Sequence, residues 1–139
     1  MTPEDMKRRT KEFGLRVLRL AASLPRNPVG DVVRRQLLRA GTGVGANYRA
    51  VCRSRSDADF LARMGVVEEE ADEPLYWLEV LGESGLVKAD RLAPLRGEAE
   101  EILSVVVASI KTVKARARRP RRGQSEIRNP KSEIPRGRA

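Results

Sequence analysis

Apolar residues recur along this chain at spacings of three and four positions, which is the period of one face of an α-helix. The clearest case runs from about Val29 to Val51, where the apolar side forms a narrow seam. The seam consists of Val33, Leu37, Ala40, Val44, Asn47 and Val51. Gly41, Gly43 and Gly45 also lie inside this predicted helix, although each glycine costs a helix interior roughly 1 kcal/mol relative to alanine. We therefore predict that a neighbouring helix packs closely against this segment.

Helix one is predicted from Thr2 to about Leu24, because a hydroxyl cap, a proline in the first turn and early acidic residues are typical of a helix start. Its core stripe consists of Phe13, Val17, Leu20 and Leu24. A second apolar stripe on the opposite side consists of Leu15, Leu18 and Ala22. A single chain would leave this second stripe exposed to water, so we predict that it forms part of an oligomer interface.

Two further helices complete the pattern. Ser56, with Asp59 three residues later, predicts a capping box at the start of helix three, which ends near Gly82. The seam of helix three consists of Phe60, Met64, Val67, Ala71, Leu75, Leu78 and Leu81. Helix four is predicted from about Asp90 to Lys114. Its seam consists of Leu92, Leu95, Ala99, Leu103, Val106, Ile110 and Val113. Four amphipathic helices on short connections predict an all-α fold, an antiparallel up-down-up-down four-helix bundle over residues 1–115.

The distribution of charge separates this bundle from a basic tail. A chain of 139 residues is expected to form one domain. Residues 116–139 contain nine basic and two acidic residues, and they carry +7 of the net charge of +9. This segment has too little apolar surface to offset the entropy of ordering, which predicts a disordered tail. A basic tail suggests nucleic acid or an acidic partner, or it serves only solubility.

The sequence offers no constellation that is typical of catalysis or of cofactor binding. The chain has no histidine and one cysteine, Cys52, which therefore lacks the usual base and is expected to be a small buried side chain. The acidic run from Glu68 to Glu73 lacks the histidines of a metal site in a bundle, and we expect a solvated face or a subunit contact. The glycines of helix two do not follow a strand, as those of a phosphate loop would. We therefore predict a non-enzymatic protein that needs no cofactor.

The same composition predicts a soluble, cytoplasmic protein. One cysteine cannot form an internal disulfide, which fits a reducing compartment. No apolar run approaches the ~20 residues that a membrane span needs, and the charged N-terminus is unlike a signal peptide. We expect no membrane partner.

Arginines mark the side of helix two that faces away from its seam. Arg35, Arg39, Arg49 and Arg53 project from one side over about 27 Å of helix, and Arg55 lies just beyond them. These five residues, named the arginine face below, could be a solvated surface, could bind the phosphates of RNA or DNA, or could contact acidic residues of another subunit. Glu69 and Glu73 of helix three are the acidic residues that we predict for such a subunit contact.

Three segments of the chain resemble a known protein family: 37–50 (LLRAGTGVGANYRA), 55–81 (RSDADFLARMGVVEEEADEPLYWLEVL) and 107–114 (VASIKTVK). They are similar to the four-helix-bundle family of the 23S ribosomal RNA intervening-sequence proteins, which is related to the accessory protein of diversity-generating retroelements. The resemblance covers roughly Phe13 to Lys114. It implies a cytoplasmic, non-enzymatic bundle that assembles into a ring, with a homopentamer favoured. It also makes RNA, DNA and a reverse transcriptase candidate partners.

Overall fold

The computed structural model describes residues 1–118, which form four α-helices joined by short turns. The helices are α1 (Pro3–Ala22), α2 (Pro28–Val51), α3 (Asp57–Glu83) and α4 (Ala89–Arg118). Each helix packs against the next one along the chain, and α4 also contacts α1. The predicted all-α, antiparallel four-helix bundle is thus confirmed.

The last helix extends beyond its predicted end. We expected the bundle to end at residue 115, but α4 continues to Arg118, so residues 116–118 belong to its last turn. The predicted disorder of the rest of the tail lies outside the described residues.

Short polar side chains define where three of the helices begin. The Thr2 hydroxyl accepts a hydrogen bond from the Asp5 amide at 3.1 Å, and the Asp5 carboxylate accepts one from the Thr2 amide at 2.9 Å. The Asn27 side chain caps α2 by accepting from the amide of Gly30. Ser56 caps α3 as predicted, but the expected capping box does not form. The carboxylate of Asp59 accepts a hydrogen bond instead from the backbone amide of Arg55. These bonds satisfy amides that the first helical turn would otherwise leave unpaired.

The seams of the four helices meet in one apolar core. Leu37, Val44, Leu78 and Val106 are each 0% exposed, which confirms their predicted central positions. In α4, however, Ile102 is buried while the predicted Leu103 and Ile110 are only half-buried against the core. Within residues 1–118, no helix combines the length and the apolar character that crossing a membrane requires.

The glycines of α2 lie where α1 approaches most closely. A Cβ atom added to Gly41 would lie 2.6 Å from Cγ1 of Val17, and one added to Gly45 would lie 3.3 Å from the carbonyl carbon of Thr10. There is therefore no room for a side chain at Gly41. The predicted close helix packing is confirmed, and it explains why glycine stands where alanine would favour the helix.

This close approach predicts opposite effects for two glycine-to-alanine substitutions. Gly41→Ala should lower the free energy of unfolding by about 1–3 kcal/mol, because buried, β-branched Val17 cannot move away. Gly97→Ala in α4 is the matched control, since no atom of residues 1–118 lies within 4 Å of its added Cβ; it should stabilise by about 0.5–1 kcal/mol. Urea denaturation measures both. Equal stabilisation by the two variants would contradict the packing of α1 on α2.

The order of the helices around the bundle determines which surfaces can act together. Contacts join α1 to α2, α2 to α3, α3 to α4 and α4 to α1, whereas α1 does not reach α3 and α2 does not reach α4. The surface between α1 and α2 therefore lies on the opposite side of the bundle from the surface between α3 and α4.

Candidate nucleic-acid and subunit interfaces

The arginine face lies on the outside of α2, as its periodicity predicted. Arg35, Arg39, Arg49 and Arg53 are exposed and lie opposite the buried seam, and Arg55 is exposed in the turn that follows α2. Within residues 1–118, none of these five guanidinium groups forms an ion pair. Five positive charges are thus available to a partner from outside the described chain.

The residues in the middle of the arginine face are small and uncharged. Arg39 and Arg49 are about 15 Å apart along the helix axis. Between them lie Thr42 and Ala46, both exposed, and the Thr42 hydroxyl already donates to the backbone carbonyl of Leu38 at 2.6 Å. Neither Thr42 nor Ala46 extends a long side chain between the two arginines. An extended polyanion could therefore contact both of them along one side of α2.

Glu70 of α3 is half-buried against α2, although the acidic run that contains it was expected to be a solvated face or a subunit contact. Its carboxylate lies over Gly43, in the space that a side chain at that position would enter. Burial raises the pKa of Glu70, nearby Glu73 raises it further, and the positive charge of Arg39 partly offsets both effects. Asn47, predicted in the seam, is half-buried and donates to the Gly43 carbonyl at 2.8 Å.

Two of the three predicted interface residues of α1, Leu15 and Leu18, line a groove between α1 and α2, whereas Ala22 lies outside it. Leu15 and Leu18 are 39% and 47% exposed, and Ala22 is exposed beside them. The groove, with a volume of about 590 Å³, is named the basic groove for its charged side chains. Those side chains are Lys7, Arg8, Lys11 and Arg49, with Glu4 as the acid. An apolar stripe beside basic groups is suited to an amphipathic, acidic surface. The interface role of the three α1 residues stays a prediction.

A second groove, between α3 and α4, has the opposite charge. Its volume is about 720 Å³, and it is lined by Ala62, Gly65, Val66, Glu68, Glu69, Asp72, Leu103 and Val107. We name it the acidic groove. Predicted Glu69 is exposed within it, whereas predicted Glu73 is half-buried and is the neighbour of Glu70. The structure therefore separates the two predicted acids into different surroundings.

A network of ionic hydrogen bonds joins α1 to α4. Arg9 donates through Nε to Glu98 at 2.6 Å and through Nη2 to both Glu98 and Glu101. These hydrogen bonds raise the pKa of Arg9 above its usual range. No local sequence pattern predicts this network, because its members are far apart along the chain. It joins α1 and α4, the neighbouring helices that pack least closely in the bundle.

The prediction for Cys52 was wrong. We expected a small buried side chain, but Cys52 is a free, exposed thiol at the C-terminal end of α2. The buried residues of this last turn are Val51 and Tyr48, and the pKa of Tyr48 is raised to about 12 by burial and by the neighbouring thiol. Tyr76, by contrast, is 58% exposed and packs edge-on against half-buried Trp77, with 5.0 Å between ring centroids.

Within residues 1–118, the acids and the cysteine form no group arranged to hold a metal ion.

Comparison with known proteins gives a family match and a similar solved structure. The sequence matches the family model described as 23S rRNA-intervening sequence protein over residues 4–108. It is also similar to a solved protein of unknown function from the S23 ribosomal protein family of Bacteroides thetaiotaomicron, at 30% sequence identity and a TM-score of 0.73. That match covers 80% of this chain and 99% of the other. No curated protein sequence matches. The family match includes the arginine face and both charged grooves.

Proposed function

This chain belongs to the 23S rRNA-intervening sequence protein family, and we propose that it is a non-enzymatic protein that binds RNA or DNA through the arginine face. The observation that carries the proposal is the set of five exposed arginines on and just beyond one side of α2, none of which is paired with an acid of residues 1–118. A charged surface that served only solubility would gain from mixing both signs. The arginine face instead concentrates positive charge along about 27 Å of α2.

Arginine is well suited to this role. Its planar guanidinium donates two parallel hydrogen bonds to phosphate oxygens, and it keeps its charge at any physiological pH. Contacts to phosphate carry no sequence information, so we expect binding with little sequence preference. If the protein assembles into a ring, several copies of the arginine face would act on one strand and multiply modest contacts.

The test is the salt dependence of binding, measured with and without the basic tail. The full chain and a chain ending after Arg118 are titrated with a labelled oligonucleotide, and anisotropy is followed. For the shortened chain, the logarithm of the binding constant should fall with the logarithm of the salt concentration with a slope of about −4, as expected when four or five phosphates are neutralised. The shortened chain should still bind at ~150 mM salt, which is near physiological ionic strength. Loss of all binding on truncation would contradict the proposal and assign binding to the tail.

A second candidate function is a protein-interaction ring, and the two charged grooves favour it. The basic groove presents Leu15 and Leu18 beside lysines and arginines, while the acidic groove presents Val66 beside acids. Because these grooves lie on opposite sides of the bundle, they can meet only between different molecules. Repeated head-to-tail contacts of this kind produce a closed ring when the rotation between subunits permits. The pentamer and the reverse transcriptase implied by the resemblance to the retroelement branch stay predictions.

Assembly is tested by removing the apolar part of the basic groove. The native protein should be an oligomer at tens of micromolar, and Leu15→Ser with Leu18→Ser should shift it to the monomer, because burial of these side chains drives association. Val29→Ser with Val32→Ser is the matched control, since these valines are 59% and 46% exposed and line neither groove. Light scattering coupled to size exclusion measures both. A monomeric native protein would contradict the ring.

A further inference from the structure

A third groove, between α1 and α4, combines apolar side chains with arginines. Its volume is about 340 Å³, and it lies beside the N-terminal part of α4. The charged residues that line it are Arg16, Arg19 and Arg91, and no carboxylate of residues 1–118 lines it. We name it the arginine groove. It shares no residue with the arginine face of α2.

The floor of the arginine groove is apolar and already buried. Leu20, Leu92 and Leu95 line it, and all three belong to the buried core. A ligand would therefore gain little by covering these leucines, and the guanidinium groups offer most of the polar contacts. A cleft with walls of low dielectric and one sign of charge focuses its field on whatever occupies it. Such a groove favours a compact anion over an apolar segment of protein.

The contrast with Arg9, on the same pair of helices, shows what is unusual here. Arg9 is neutralised by Glu98 and Glu101 across the α1–α4 contact. Farther along α1, Arg16 is half-buried and Arg19 is exposed, and neither forms an ion pair within residues 1–118. Like charges held in one cleft repel each other, and a bound anion would relieve that repulsion.

One of the three arginines is held in place by a hydrogen bond. Nη2 of Arg91 donates to the Ser23 hydroxyl at 3.3 Å, and that hydroxyl donates to the Leu20 carbonyl at 2.7 Å. This link connects the first turn of α4 to the C-terminal cap of α1. It uses one of the five N–H groups of the guanidinium and leaves the others for a ligand.

We propose that Arg16, Arg19 and Arg91 form a binding site for the phosphate group of a ligand. Forked guanidinium donors match the oxygens of a phosphate group, which has the compact, multivalent negative charge that this groove lacks. The group could belong to a free nucleotide or to the backbone of a nucleic acid. The proposal does not depend on the arginine face of α2, because different residues on different helices carry it.

The test uses the full chain and isothermal titration with inorganic pyrophosphate as the probe. The native protein should bind it saturably, and Arg19→Gln with Arg91→Gln should weaken binding by about tenfold or more, since two of three charged donors are removed. Both side chains are exposed, so the fold should persist, and circular dichroism checks this. Arg19→Lys with Arg91→Lys keeps the positive charge but removes the forked guanidinium donors, so pyrophosphate affinity should fall by less.

Lys111→Gln with Lys114→Gln is the matched control, because it removes the same charge from an exposed part of α4 outside the groove. It should leave pyrophosphate affinity within about twofold of native. Equal weakening in control and groove variants, or no saturable binding by the native protein, would overturn the proposal.

Repeating the titrations with a nucleoside monophosphate and with a short oligonucleotide distinguishes the two sources of phosphate. If Arg19→Gln with Arg91→Gln weakens binding of pyrophosphate and the nucleotide only, the natural ligand is a free phosphate compound. If it also weakens binding of the oligonucleotide, the groove binds the backbone of a nucleic acid.

Discussion

Leu78→Ala should lower the free energy of unfolding by about 2–5 kcal/mol, the largest stability effect expected for one side chain of this bundle. Leu78 is 0% exposed in the C-terminal part of α3, and its side chain belongs to the core that all four helices share. Truncation removes apolar contacts and leaves a cavity that long helices, packed on both sides, can fill only partly. Urea denaturation at constant protein concentration measures the change.

Val29→Ala provides the control for this measurement. Val29 is exposed near the start of α2, and its truncation should change stability by no more than about 0.5 kcal/mol. The protein concentration must be held fixed, because association of subunits adds to apparent stability. A loss below about 1 kcal/mol for Leu78→Ala would show that the core is not centred where the structure has it.

The helices could be predicted because their signals are local. Thr2 and Ser56 cap the amides of the turn that follows them, and apolar spacing identifies the faces of α1 and α2 without knowledge of their neighbours. The exposure of the arginine face follows from the same spacing, since residues opposite a buried seam must face outward. Local chemistry thus gave the fold class and one candidate site.

The wrong predictions concern residues whose burial depends on parts of the chain that are distant in sequence. In α4 the run around Ile102 and Leu103 has apolar residues on adjacent faces, and only the position of the neighbouring helices selects Ile102 for the core. Cys52 was expected to be buried, but α2 ends there and the chain turns, which leaves it exposed. Glu70 packs on α2 because its position on α3 faces Gly43.

The grooves also could not be predicted from the sequence. Each one is formed by two helices, and its charge depends on which residues those helices bring together. Arg19 and Arg91 lie on different helices, and no periodicity relates them. The opposite charges of the basic and acidic grooves became visible only when the order of the helices around the bundle was known.

Reversing two charges on the arginine face should abolish binding of nucleic acid. In the chain that ends after Arg118, Arg35→Glu with Arg39→Glu removes two phosphate contacts and replaces them with repulsion, so we expect affinity to fall by at least about 100-fold at ~150 mM salt. Both side chains are exposed on α2, so the fold should persist. Lys111→Glu with Lys114→Glu makes the same change in charge on exposed positions of α4 and should weaken binding far less.

The most direct test of the arginine face is this charge reversal in the chain that ends after Arg118, with anisotropy and light scattering measured on the same samples. The unsubstituted short chain should bind the oligonucleotide at ~150 mM salt, and Arg35→Glu with Arg39→Glu should remove binding without changing the oligomer, because these two residues line neither the basic nor the acidic groove. Retention of binding by this variant would contradict the account. Dissociation of the oligomer would contradict it too, and would assign these arginines to acidic residues of a neighbouring subunit.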